Sequence, residues 1–145
     1  MNIAIVGVGL IGGSIGIRLK ETKFCEKLIG VERSETNQKK ALQLGLVDEI
    51  QSLEEALKSC KVLILTVPVD AIMGILPGML DKVTDQVIID MGSTKSNILH
   101  LIQDHPNRGR YVAAHPMAGT EFSGPEAAVQ GLFVGKRGVI CDKEL

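Results

Sequence analysis

His115 closes an apolar segment, Arg110 to Ala114, and Pro116, Met117, Ala118, Gly119, Thr120 and Glu121 follow it. An imidazole titrates near pH 6.5, so it can take and return a proton at physiological pH. A histidine at the end of a strand is well placed to act as a base; from spacing alone, a buried, hydrogen-bonded histidine is the open alternative. Gly92, Ser93, Thr94 and Lys95 leave a second apolar segment, 86–91. Ser93 or Thr94 reads as the cap of the following helix, as a hydroxyl facing a ligand, or one as each. Lys95 reads as positive charge for an anionic substrate or as exposed surface. Pro68 ends a third apolar segment, 61–67, because it has no N–H to donate. Val67 and Val69 beside it form either an apolar wall or a plain strand end. His100 and His105 have polar neighbours and read as surface residues.

These groups need a partner to act on, and the first residues indicate its kind. An apolar run, Ile3 to Val6, enters a Gly-x-Gly-x-x-Gly turn made by Gly7, Gly9 and Gly12. Gly7 allows the tight exit from the strand, Gly9 lets backbone approach a pyrophosphate, and Gly12 lets the next helix pack on the sheet. The helix start presents unpaired N–H groups and the positive end of its dipole. Gly7, Gly9, Leu10, Ile11 and Gly12 are therefore the candidate cofactor-binding turn. Glu32 lies twenty residues beyond Gly12, at the end of the apolar run Leu28 to Val31. A carboxylate there accepts hydrogen bonds from ribose hydroxyls and repels a 2′-phosphate. Arg33 can cradle such a phosphate, stack on adenine or remain a surface charge. The reading favours NAD over NADP, with Val67 and Pro68 toward the nicotinamide end. The alternative is a glycine-rich turn that merely packs.

The elements that must position these residues alternate. Strands are expected at about 2–7, 27–32, 47–50, 61–67, 86–91, 110–114 and 137–141. Helices are expected at about 10–20, 34–44, 52–59, 69–80, 95–104 and 127–132. Gly45 reads as a C-cap and Ser52 with Glu55 as a capping box. Pro77 predicts a kink or break near Leu76. Alternation of this kind predicts an α/β fold, a Rossmann-type, doubly wound, mostly parallel sheet, as one domain over residues 1–145. Ligands then gather outside the carboxyl ends of the strands, where Gly7, Glu32, Val67, Ser93 and His115 all fall. Arg108, Arg110 and Arg137 are expected in turns or at strand starts, away from that end.

Composition narrows the class. The chain is 45% hydrophobic and 23% charged with a formal net charge of −1, which offers no electrostatic footing for nucleic acid. No apolar stretch reaches the roughly 18 residues of a membrane span, and the start lacks the basic region of a signal peptide. Cys25, Cys60 and Cys141 lack metal-ligand spacing, so no metal is expected; their scatter suits reduced thiols in a cytoplasm. Only 3% of residues are aromatic, so aliphatic side chains must fill the core.

Taken together, three segments resemble the N-terminal domain of the prephenate and arogenate dehydrogenases of tyrosine biosynthesis. They are Gly7 to Ser14, Gly92 to Lys95, and His115 to Glu121 followed by Ser123, Gly124 and Pro125. The resemblance covers essentially the whole chain, and the His115 segment is its most specific part. It implies oxidative decarboxylation: prephenate gives hydride from its hydroxyl-bearing ring carbon to NAD, loses its ring carboxylate as CO₂, and becomes 4-hydroxyphenylpyruvate. Arogenate yields tyrosine likewise. It further implies that His115 hydrogen-bonds the ring hydroxyl and assists its deprotonation, and that Ser93 keeps His115, hydroxyl and nicotinamide in register. Thr120 and Glu121 match loop residues near the substrate entrance. Family members also carry an all-helical dimerisation domain that supplies substrate-carboxylate ligands, including arginine, and no segment here matches it. The expectation is the cofactor-binding and catalytic half of a cytoplasmic enzyme that is a homodimer at full length. Two other readings compete. One is a β-hydroxyacid or imine-reducing dehydrogenase with the same glycine turn, against which the His115 segment argues. The other is a non-catalytic NAD-binding module.

Overall fold

Short aliphatic runs build the sheet in the computed structural model, which describes residues 1–142. The strands are β1 (Asn2–Val6), β2 (Lys27–Val31), β3 (Glu49–Ile50), β4 (Val62–Leu65), β5 (Val87–Asp90), β6 (Tyr111–Pro116) and β7 (Gly138–Cys141). They lie in the order β3-β2-β1-β4-β5-β6-β7. All pair in parallel except β7, which runs antiparallel to β6 with His115 opposite Val139. The order reverses between β1 and β4, and the crevice of a doubly wound sheet opens at such a reversal. The last three residues of the expected domain, 143–145, lie outside the described part.

Among the described residues five α-helices cover the two faces: α1 (Leu10–Glu21), α2 (Glu35–Gln43), α3 (Leu53–Ser59), α4 (Val69–Lys82) and α5 (Ser96–Ile102). Alternate residues of each strand feed opposite cores, as a two-residue period requires. Ile3, Ile5, Leu28 and Ile64 pack with Ala41 and Leu46 on the α1–α2 side. Ala4, Val6, Leu63, Leu65 and Ile88 pack with Ile72, Leu76 and Ile98 on the other. Ser34 caps α2 through the Asn37 N–H, and Ser52 with Glu55 forms the expected capping box on α3. Among the described residues no helix is long and apolar enough to cross a membrane.

Several local expectations give way to tertiary contacts. The third strand shrinks to Glu49–Ile50, because Val47 turns into the core instead. Helix α4 runs unbroken through Pro77, held by the buried side chains of Ile72, Leu76, Met79 and Leu80 on both sides of it. The expected helix over 127–132 is absent. A short 3-10 turn, Pro125–Ala127, is followed by turns with positive φ at Gly131 and Gly135. This segment is a strap across α1. Val129 donates its N–H to Ser14 Oγ at 2.9 Å, and Ala128 sits where a side chain on Gly13 would be. Strand β6 extends past the expected Ala114, so His115 and Pro116 belong to a strand rather than to a loop.

Candidate active site

The crossover between β1 and β4 creates the crevice. Thr66 stands at its base and donates its hydroxyl to the Gly7 carbonyl at 2.5 Å and to the Val6 carbonyl at 3.0 Å. Gly7 adopts φ +94°, and a Cβ there would come within 2.6 Å of Val67 Cγ1. A Cβ on Gly12 would meet Thr66 Oγ1 at 2.6 Å. Packing alone therefore explains these two glycines. It does not explain Gly9, where an added Cβ would meet nothing within 4 Å. Gly9 is the N-cap of α1 and has no side chain to satisfy the first-turn N–H groups. Bare backbone, free donors and open space at the positive end of a helix form a cradle for a phosphate.

A cavity of about 740 Å³ opens on one side of this turn, lined by Gly7, Glu32, Arg33, Gln38, Ile50, Leu53, Val67 and Ile75 among others. Glu32 is half-buried at its rim. Its Oε2 accepts from the Val8 N–H at 3.2 Å, and its Oε1 accepts from the N–H groups of Arg33 and Ser34 at 3.0 and 3.2 Å. Gln38 donates to the Glu32 carbonyl at 2.7 Å, which fixes the backbone of the acid. The Arg33 side chain is exposed beside it. Ile50, Leu53 and Ile75 give this cavity an apolar wall.

A second cleft, of about 290 Å³, lies on the other side of the turn and shares Val67 with the first. It is lined by Ile11, Thr66, Val67, Pro68, Val69, Met91, Gly92, Ser93, His115, Pro116 and Ala118. The fold thus brings Ser93, His115, Val67 and Pro68 together from three strand ends. Leu10 opens α1 and, like Gly9 and Gly12, is not in the lining of either cavity. The His115 ring is half-buried, with Nδ1 3.5 Å from the Met91 carbonyl, at the outer limit of a hydrogen bond. When Nδ1 carries the proton, Nε2 keeps a lone pair free to accept one.

The floor of this cleft rests on a buried charge. Asp90 is fully buried at the end of β5. Its Oδ1 accepts from the Gly92 N–H at 2.6 Å and faces Lys95 Nζ at 2.9 Å, while Oδ2 accepts from the Tyr111 hydroxyl at 2.6 Å. Lys95 Nζ also donates to the Asp90 carbonyl at 2.9 Å. Burial pushes the Lys95 ammonium below its usual value, against the opposing pull of Asp90. Burial, then the bond to Asp90, pushes the Tyr111 phenol far above its own. Lys95 is therefore neither a surface charge nor a free cation for substrate, because its ammonium is committed to Asp90. Ser93 and Thr94 are exposed and neither caps α5, whose N-cap is Lys95 and whose first turn receives no side-chain capping bond from it.

Other expected positions separate. Thr120 and Glu121 are exposed on the loop after β6 and outside the lining of the cleft; Thr120 Oγ1 accepts from the Phe122 N–H at 3.2 Å. Arg137 is not remote: its carbonyl accepts from the Met117 N–H at 2.8 Å, beside the His115 end of β6. The antiparallel return of β7 brings it there. His100 is exposed, but His105 is partly buried, with Nε2 3.0 Å from Asp81 Oδ1. Among the described residues no group of three or more His, Cys, Asp or Glu side chains could hold a metal ion. Sequence reasoning gave no role to Thr66, Asp90 or Tyr111. A charged residue ending the apolar run Val87 to Ile89 was the available signal for Asp90.

Comparison with known proteins shows a family and a shared fold. The family model described as "Prephenate dehydrogenase, nucleotide-binding domain" matches residues 15–145. Prephenate dehydrogenase of Bacillus subtilis (strain 168) is 33% identical over 136 residues, which are 91% of this chain and 37% of that protein. Cyclohexadienyl dehydrogenase of Zymomonas mobilis is 34% identical over 137 residues, 91% of this chain and 46% of that protein. A crystal structure of prephenate dehydrogenase from Aquifex aeolicus, in complex with hydroxyphenyl propionate and NAD⁺, superposes with TM-score 0.84 at 28% identity, over 99% of this chain and 51% of that one. Synechocystis arogenate dehydrogenase gives TM-score 0.85 at 30% identity, over 99% of this chain and 51% of that one. The chain spans less than half the length of the two curated relatives and about half of each solved chain.

Proposed function

We propose, from the premise that this chain belongs to the prephenate dehydrogenase family through its nucleotide-binding domain, that it binds NAD and carries the catalytic base of a dehydrogenase that oxidatively decarboxylates prephenate. One observation carries the proposal. Ser93 and His115 share a cleft with Ile11, Val67 and Pro68, and Val67 also lines the Glu32 cavity.

The residues present fit a dinucleotide. Glu32 would hold the adenosine ribose, the Gly9 backbone and the start of α1 the pyrophosphate, and Val67 with Pro68 the nicotinamide face. NAD⁺, when bound, supplies the two-electron acceptor for the overall reaction. The protein then has three tasks. His115 accepts the proton of the ring hydroxyl at Nε2, which raises electron density on the carbon to be oxidised. Ser93 holds that hydroxyl in line with the imidazole. The apolar walls of Ile11, Val67 and Val69 exclude water and strengthen both interactions. The substrate's own chemistry does the rest, since loss of CO₂ makes its ring aromatic.

Arogenate is the second reading, favoured by the likeness to the Synechocystis arogenate dehydrogenase. The two substrates differ only in the side-chain keto or amino group. We read the full-length enzyme as a cytoplasmic homodimer whose cysteines stay reduced. The test is a steady-state assay of the full-length gene product with NAD⁺ and each substrate, followed by absorbance of the reduced nicotinamide. Turnover of prephenate above arogenate supports the first reading, and the reverse preference the second. Turnover of neither leaves a cofactor-binding module.

A further inference from the structure

The turn that presents Met91, Gly92 and Ser93 to the cleft is closed by a single carboxylate. Asp90 reaches forward to the Gly92 N–H, and Lys95 reaches back to both the carboxylate and the carbonyl of Asp90. The two contacts tie residues 90–95 into a ring with Ser93 inside it. A Cβ on Gly92 would come within 2.9 Å of Asp90 Oδ1, so the turn leaves no room beside that oxygen. Met91 donates its N–H to the Leu65 carbonyl at 2.9 Å, which anchors the ring to β4. On the far side, Tyr111 donates to Asp90 Oδ2 from the start of β6, the strand that ends in His115. Arg108 covers the Tyr111 ring, 5.0 Å from its centroid, and its Nη1 donates to the Tyr111 carbonyl at 3.1 Å.

A buried ion pair is an expensive way to hold a fold, because a well-packed apolar pair does as well or better. What it provides is direction, since each oxygen of Asp90 faces a different element. We propose that Asp90, Lys95 and Tyr111 are positioning residues that fix the Met91 carbonyl against His115 Nδ1 and thereby hold the imidazole in the Nδ1–H tautomer, with Nε2 aimed into the cleft. None of the three lines the cleft itself. They act through the turn and through β6. The inference deepens the assignment of His115 as base and rests on it for its catalytic consequence, but not for its structural one.

The experiment reads the tautomer directly. The chain is labelled with ¹⁵N-histidine, and the ring-nitrogen shifts of His115 are recorded at a pH where it is neutral. The wild type, Asp90→Asn, Tyr111→Phe and a core control, Ile98→Val, are compared. The wild type and the control should show Nδ1 protonated. Asp90→Asn should move the population toward Nε2–H, and Tyr111→Phe should move it less in the same direction. A wild type with Nε2 protonated overturns the proposal, as does an Asp90→Asn protein that keeps the wild-type pattern. If Asp90→Asn does not fold, Tyr111→Phe decides: an unchanged tautomer overturns the proposal. In the full-length enzyme, Tyr111→Phe should lower kcat by about ten- to a hundredfold, with the KM for NAD⁺ little changed. An unchanged kcat there also counts against it. Absence of turnover in the wild type refutes the functional reading alone, and the tautomer still decides this one.

Discussion

The carboxylate of Glu32 accepts the N–H of Val8 across a gap of 3.2 Å, so the acid at the end of β2 is bonded to the glycine turn at the end of β1. One group thus sits where a ribose would lie and also braces the turn that would hold the phosphates. Its charge opposes a 2′-phosphate. Isothermal titration should show NAD⁺ binding more tightly than NADP⁺, and Glu32→Ala should narrow the difference by about tenfold, ~1.4 kcal/mol. A wild type that prefers NADP⁺ refutes this role for Glu32.

Gly9 and Gly12 should separate binding from folding. Gly9 has a negative φ of −106° and open space around its missing Cβ. Gly9→Ala should therefore keep the wild-type Tm while losing at least about tenfold in dinucleotide affinity, ~1.4 kcal/mol. Gly12→Ala has Thr66 in its way and should lose about 1–3 kcal/mol of stability in urea unfolding. Equal Tm losses for both would mean that Gly9, too, is there for packing.

His115→Asn keeps some hydrogen-bonding capacity but cannot take the proton. In the full-length enzyme kcat should fall by about 10²–10⁴-fold, while NAD⁺ affinity stays within about twofold. Near-normal kcat would return His115 to a packing role.

The 145 residues assayed alone should turn over prephenate poorly. Among the described residues no arginine or lysine lines the His115 cleft, and the Lys95 ammonium is bonded to Asp90. A substrate with two carboxylates is best oriented by fixed cationic donors, preferably the fork of arginine. A kcat/KM comparable to that of the full-length gene product would show that these residues suffice.

Asp48 should set part of the acid limit of stability. Burial would raise its pKa, but the bonds from Lys20 at 2.6 Å and from the Leu28 N–H at 2.8 Å carry it below its ordinary 3.8. A carboxyl with a lowered folded pKa stabilises fully above its unfolded pKa. That contribution is lost as pH falls through the folded value. Asp48→Asn should cost about 0.5–1 kcal/mol at neutral pH, because the Asp48 side chain is more than a third exposed and solvent screens its pair with Lys20, and the gap to wild type in urea titrations should close as pH drops below about 4. A gap that persists at low pH would assign the effect to shape rather than charge.

What the chain order alone determined is everything carried by short-range signals. Alternating aliphatic runs and helix caps established a doubly wound sheet, because side-chain period and capping chemistry act within a few residues. The glycine spacing, Glu32 and the His115 segment marked one edge of the sheet, because a parallel strand must deliver its next turn to the same edge. Tertiary structure decided what depends on partners distant in sequence. The strap replaces an expected helix because Val129 finds Ser14, 115 positions away. Helix α4 survives Pro77 because the core grips both halves of it. Lys95, read as a substrate cation or an exposed charge, is turned inward by Asp90, and Asp90 is partnered there by Lys95, the Gly92 N–H and, 21 positions on, the Tyr111 hydroxyl. A buried charge is stable only when every partner is in place, and no local pattern records where those partners will be.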